Sequence, residues 1–191
     1  MGLLDSLMGR RKPARPNLDA LFALPGCAIT LDVELDYRPT GTGSVAFRAP
    51  EGRAFADVEA DVRALLDADA GPPVVVEQDS FGFTWLVVKT YPPDLSSVVT
   101  DLHAVNSTLV NAGFGPQLLC SIVPFRDPSG REIALVYLYK QGTFYPFAPQ
   151  SAAEQKRDNV LELRLRDMLG GELPIEPDLQ RWLAIWEAPG L

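Results

Sequence analysis

The chain has 191 residues, the length of one domain with tails, and at 47% hydrophobic and 22% charged its composition is globular. No apolar run reaches the roughly 18–20 residues of a membrane span, and a formal charge of −8 disfavours nucleic-acid binding, which needs a basic footprint. Two cysteines, Cys27 and Cys120, and one histidine, His103, are too few for a disulfide framework, a structural zinc site or a multi-histidine centre; neither metal nor cofactor is expected.

The first sixteen residues differ from the rest. Leu3, Leu4, Leu7 and Met8 recur at i, i+1, i+4 and i+5, so a short helix gathers them on one face, and Arg10, Arg11, Lys12 and Arg15 follow. Against Asp5 these leave residues 1–16 at +3 and the remainder at −11, a basic amphipathic arm on an acidic body. The apolar residues precede the charges and no small-residue cleavage site follows, so the arm is not a secretory signal and the expected location is cytoplasmic. Three uses for the arm stay open: peripheral contact with an anionic membrane, contact with a protein partner, or packing on the body.

Residues 17–191 read as a single α+β domain. Asn17 caps a short helix, Leu18 to Ala23, that Pro25 stops. Ala28 to Leu35 alternates and predicts a strand, followed by a second at Ser44 to Arg48. Phe55, Val58, Val62, Leu65 and Leu66 keep helical spacing through Ala54 to Ala68. Val74 to Gln78 and Phe83 to Tyr91 flank a turn at Asp79–Gly82 and predict a hairpin. Leu95 to Ala112 is a long amphipathic helix ended by Gly113. Leu118 to Phe125 and Glu132 to Tyr139 flank Asp127-Pro128-Ser129-Gly130, a second hairpin. Ser151 with Glu154 reads as a capping box opening a helix from Ala152 to Leu169, and Asp178 to Trp186 as a last short helix. Hairpins separated by single helices predict an antiparallel sheet with helices mainly on one face.

No catalytic constellation emerges. His103 has neither a nucleophile nor an orienting carboxylate fixed by its motif, and reads as a structural or surface histidine. Asn106 lies close to the apolar stripe of its helix, where a buried amide must find partners. Neither cysteine has a basic neighbour in sequence to lower its pKa. Gly41-Thr42-Gly43-Ser44 leads into a strand, whereas phosphate cradles lead into a helix. The segment Gly142 to Pro149 carries Phe144, Tyr145 and Phe147; it either packs extended across the sheet or presents its rings to a partner, and Trp182 and Trp186 pose the same choice.

The opening MGLLDSLMGRRKPARPNLDALFALP, the central DSFGFTWLVVKTYPPDLSSVVTDLHAVNSTLVNAGFGPQLLCSIVPFRD, ALVYLYKQGTFYPFAP and the ending GGELPIEPDLQRWLAIWEAPGL resemble the PspA-associated protein PspAB family of GC-rich bacteria. That resemblance implies an accessory role in the phage-shock envelope-stress response, beside the membrane-surface protein PspA and an HtpX-type membrane protease, with no catalytic residues to carry over. The element order around HAVNSTLVNAGFG is also similar to the YbjN and type III secretion chaperone-like fold, whose members bind proteins. Two readings follow. One is a non-enzymatic adaptor that docks through Leu3, Leu4, Leu7, Met8, Arg10, Arg11 and Lys12 on a partner of the PspA system or on the inner face of the membrane. The other is a client-binding chaperone with a groove lined by Phe144, Tyr145, Phe147, Trp182 and Trp186. An enzyme using His103 is a third, to be tested by its replacement with glutamine.

Overall fold

A computed structural model describes residues 16–48, 56, 57, 60, 62–64, 73–186 and 188–191. The arm at residues 1–15 and most of the helix expected at Ala54 to Ala68 lie outside the described residues; those described at 56–64 are helical and Val62 is buried. The strands are β1 Arg38–Pro39, β2 Thr42–Phe47, β3 Val75–Gln78, β4 Thr84–Lys89, β5 Leu118–Arg126, β6 Glu132–Leu138 and β7 Thr143–Phe147, with a separate small pair, β8 Pro149–Ser151 and β9 Lys156–Arg157. The large sheet runs β3-β4-β2-β5-β6-β7, with β1 also paired to β5, and every pairing is antiparallel. Among the described residues, the α-helices apart from 56–64 are α1 Leu24–Leu35, α2 Leu95–Asn111 and α3 Asn159–Leu169; the helix expected at Leu18–Ala23 is a 3₁₀ helix that the Asn17 side chain does not cap. The fold is α+β.

Both predicted hairpins form because an aspartate closes each turn. Asp79 Oδ1 accepts the Phe81 and Phe83 N–H groups at 3.0 and 2.9 Å. Asp127 Oδ1 accepts the Ser129 and Arg131 N–H groups and the Ser129 hydroxyl, while its Oδ2 takes Arg131 Nε at 2.7 Å. The Ser129 hydroxyl foremost, then the Arg131 donors, hold the Asp127 carboxyl down at about 2, against burial. A depressed folded-state pKa contributes stability that is complete above the ordinary carboxylate value and lost as pH falls through the folded one. Between pH 4 and about 2 the wild type therefore loses urea resistance that an Asp127→Asn variant, already weaker at pH 6, does not lose.

α2 begins at Asp94, whose carboxylate accepts the Ser96 N–H at 3.0 Å, and buries Leu95, Val98, Val99, Leu102, Val105 and Leu109 on one stripe. It lies so close to β2 that a Cβ at Gly43 would sit 2.6 Å from Val98 Cγ1. The glycine before Ser44 thus serves helix-on-sheet packing. Gly43→Ala is expected to cost about 1–3 kcal/mol by overpacking, read from the urea midpoint. Asn106, fully buried, donates to Leu102 O at 2.7 Å and to Ser121 Oγ at 2.9 Å, tying α2 to β5.

Three predicted elements need correction. Ala28 to Leu35 is not a strand but the second part of α1. Its sequence carries two periods, and the helical one, Leu21, Leu24, Cys27 and Leu31, wins the core. Pro25 does not stop the helix because it occupies the first turn, where no N–H is needed. The helix expected from Ala152 starts only at Asn159, capped by Asp158 on the Leu161 N–H. Ser151 does accept the Glu154 N–H, but inside the turn that joins β8 to β9. The last helix shrinks to a 3₁₀ turn, Leu179–Arg181. The Trp182 and Leu183 carbonyls that would continue it are taken by Arg157 Nη1 at 2.6 Å and the Tyr145 hydroxyl at 3.0 Å.

The two sheet faces bury different partners. One meets the helices through Val45, Phe47, Leu86, Val123, Leu135 and Phe144. The other carries Ala46, Trp85, Val87, Ile122, Val136, Tyr145 and Phe147, and is covered by the irregular C-terminal segment with Trp182 and Ala188. This strap leaves the β7 edge, where Ile175 bridges Phe144, and reaches the central strands β5 and β2, where Gly190 lies against Pro124 and Thr42.

Candidate functional site

The strap does not cover its sheet face completely. Between it and the β3–β4 end lies a groove of about 430 Å³, within the range of ligand and peptide-anchor pockets. Its floor is built by a backbone irregularity. Ala46 pairs with Cys120 and Phe47 with Leu118, so Leu119 is an extra residue, a β-bulge. The bulge breaks the strict alternation, and the consecutive side chains Leu119 and Cys120 both join this face and line the groove.

The β3–β4 hairpin supplies one wall. Phe81, Phe83 and Trp85 line the groove, and the Trp85 indole N–H donates to Asp79 Oδ2 at 2.9 Å. The strap supplies the other through Leu183, Ile185 and Trp186. Phe81 and Leu183, 60% and 63% exposed, form an apolar rim. Among the described residues Asp79 and Lys140 are the charged side chains that line it. Two polar groups on the walls are spent: the Trp85 indole on Asp79, and the Tyr145 hydroxyl, which donates to Leu183 O at 3.0 Å and whose pKa burial pushes well up. Burial also pushes the Cys120 thiol up to about 12, so it stays protonated and behaves as an apolar wall atom. Such a surface takes up apolar side chains.

A larger cleft of about 540 Å³ lies beside the β5–β6 turn and residues 147–152. Its charged groups already hold the fold: Arg131 Nε is bound to Asp127, and Asp158 Oδ1 caps α3.

The groove differs from the one drawn on Phe144, Tyr145, Phe147, Trp182 and Trp186. These rings cannot share one open surface, because side chains alternate along β7. Phe144 faces the helix side against Tyr137, with ring centroids 5.1 Å apart. Tyr145 and Phe147 face the strap, but both are buried, and Trp182 stacks on Tyr145 at 5.9 Å. Trp186 lies edge-on to Phe147 at 5.1 Å and is half-buried. Of the five, Tyr145 and Trp186 reach the groove. Its remaining aromatics were legible in another signal, the spacing of two in Phe81, Phe83 and Trp85.

His103 lies elsewhere, on the helix side of the sheet. Its Nε2 is 3.5 Å from Asp19 Oδ1, and its ring packs beside Phe22 at 5.0 Å. Cys27 is buried on the core face of α1; burial first, then the Glu172 carboxylate, raises its thiol to about 12. No cluster of three metal-ligating side chains occurs among the described residues.

The family PspA associated protein B (PspAB) matches residues 1–190. The chain belongs to that family. The family name associates it with PspA, a protein partner, and with the phage-shock stress response. No curated protein and no solved structure matches the chain, so the likeness to the YbjN and type III secretion chaperone-like fold rests on element order alone. Among the described residues no helix is long and apolar enough to cross a membrane.

Proposed function

We propose that this PspAB-family chain is a non-enzymatic adaptor of a PspA-type envelope-stress response, holding an apolar segment of its protein partner in the groove beneath the strap. The observation that carries this reading is the groove itself: a preformed apolar slot whose rim residues, Phe81 and Leu183, remain exposed. Large exposed apolar side chains around a concave surface are the usual anchors of protein contacts, and family membership supplies the class of partner.

The test is affinity capture with the full chain and with Phe81→Glu and Leu183→Glu. Both positions are exposed, so the fold is retained. Each variant is expected to weaken capture of PspA, or of an HtpX-type protease if that is the direct partner, by roughly tenfold, the equivalent of about 1.4 kcal/mol at an anchor site. Unchanged capture by both variants removes the groove from the interface. A client-binding chaperone is the second reading that an apolar groove supports. Comparable affinity for many unrelated apolar peptides, and no preference for the PspA system, would favour it.

A further inference from the structure

We infer that the exposed face of α1 is the seat of the chain's own opening segment, residues 3–12. Phe22, Ile29 and Val33 are 51%, 68% and 76% exposed. Ile29 and Val33 are one helical turn apart in α1, Phe22 lies seven residues before Ile29 in the 3₁₀ segment Leu18–Ala23 that runs into α1, and Gly26 between them is also exposed. Single exposed aliphatics are ordinary, but here three large ones share one line. Two of them are β-branched, a type that a solvent-facing helix position does not favour. The alternation in Ala28 to Leu35 has the same origin, since it places Ile29 and Val33 in step with the buried Leu31.

Tether, length and charge identify the occupant. The described chain begins at Pro16, and the Asn17 N–H donates to the Tyr137 hydroxyl at 3.1 Å, so the preceding residues depart from a fixed point at the foot of the stripe. Ten helical residues measure about 15 Å and the stripe from Phe22 to Val33 about 16 Å. Residues 13–17, with Pro13 and Pro16, make a connection of the length that joins two antiparallel helices. Leu3, Leu4, Leu7 and Met8 supply an apolar face to meet the stripe.

Charge agrees. Residues 1–16 carry +3, while residues 17–38 hold Asp19, Asp32, Glu34 and Asp36 against Arg38, a net −3. Folded back, the segment brings Arg10 to Lys12 towards Asp19, 86% exposed at the side chain. A seated segment has its apolar face occupied, so the seat competes with any membrane or partner for the same four side chains. It lies on the helix side of the sheet, apart from the groove, and stands or falls independently of it.

The test uses the full-length protein with Leu7→Cys carrying a nitroxide; both native cysteines are buried. Amide signals from Ile29 to Val33 are expected to broaden. With Ile29→Asp and Val33→Asp added, at exposed positions, the broadening disappears, and tryptic cleavage after Arg10 and Arg11 quickens about fivefold as the segment loses protection. Absence of broadening in the labelled chain overturns the proposal. So does broadening that appears only between a spin-labelled and an isotope-enriched copy, which places the segment on a second molecule. Equal cleavage rates with and without the two aspartates, or protection that arises only on adding anionic vesicles, overturns it too.

Discussion

Arg157→Ala is expected to lower the unfolding free energy by about 3–5 kcal/mol, the cost of breaking a buried ion pair from one side. The Arg157 and Glu162 side chains are 18% and 3% exposed, and Nε donates to Glu162 Oε1 at 2.9 Å. The same carboxylate oxygen accepts the Ala148 N–H at 2.9 Å, so Glu162 joins α3 to the end of β7. Arg157 has two further contacts: Nη1 donates to the Trp182 carbonyl at 2.6 Å, and the guanidinium lies 5.0 Å from the centre of the Phe147 ring. Its removal leaves a carboxylate buried with one backbone donor and frees the start of the strap. Adding Glu162→Gln to Arg157→Ala is expected to restore part of the loss, because the orphaned charge disappears while an acceptor for Ala148 remains. Urea midpoints of the two single variants and the double variant measure this coupling. An Arg157→Ala midpoint equal to that of the wild type would show that the pair contributes nothing.

What the sequence conveyed about the fold depended on whether the deciding interactions were local. Asp79 and Asp127 close their turns on N–H groups two and four residues ahead, so both hairpins were legible from a few residues. The stripe of α2 was equally local. Ala28 to Leu35 was ambiguous, since Leu31 and Leu35 fit both periods, and only packing against α2 and the sheet selects the helix. The final residues failed for a different reason. Trp182 and Leu183 have helical spacing to their neighbours, yet Arg157 and Tyr145, 25 and 38 positions away, take their carbonyls. For the site, aromatic content pointed to the right region but to the wrong set of rings. The floor depends on a bulge at Leu119 created by pairing with β2, which no local pattern announces.

Trp182→Ala separates the stability of the strap from the use of the groove. Trp182 is 7% exposed, stacks on Tyr145 at an interplanar angle of 22°, and its indole N–H donates to Glu176 O at 3.0 Å. It does not line the groove, but it anchors the segment that carries Leu183, Ile185 and Trp186. Truncation to alanine is expected to cost about 3–5 kcal/mol, the range for a large buried aromatic ring. Trp182→Phe keeps the stacking and loses the indole hydrogen bond, leaving the Glu176 carbonyl short of a donor, for about 1–3 kcal/mol. Trp186→Ala removes a half-buried ring at the groove wall, so its stability cost is the smaller and its effect on partner capture the larger. If the groove is the docking surface, capture falls with Trp186→Ala at temperatures where that variant is fully folded. It falls with Trp182→Ala because the wall is lost, and stays near the wild-type level with Trp182→Phe. Capture that follows unfolding alone across all three variants would mean the partner reads another surface of the domain.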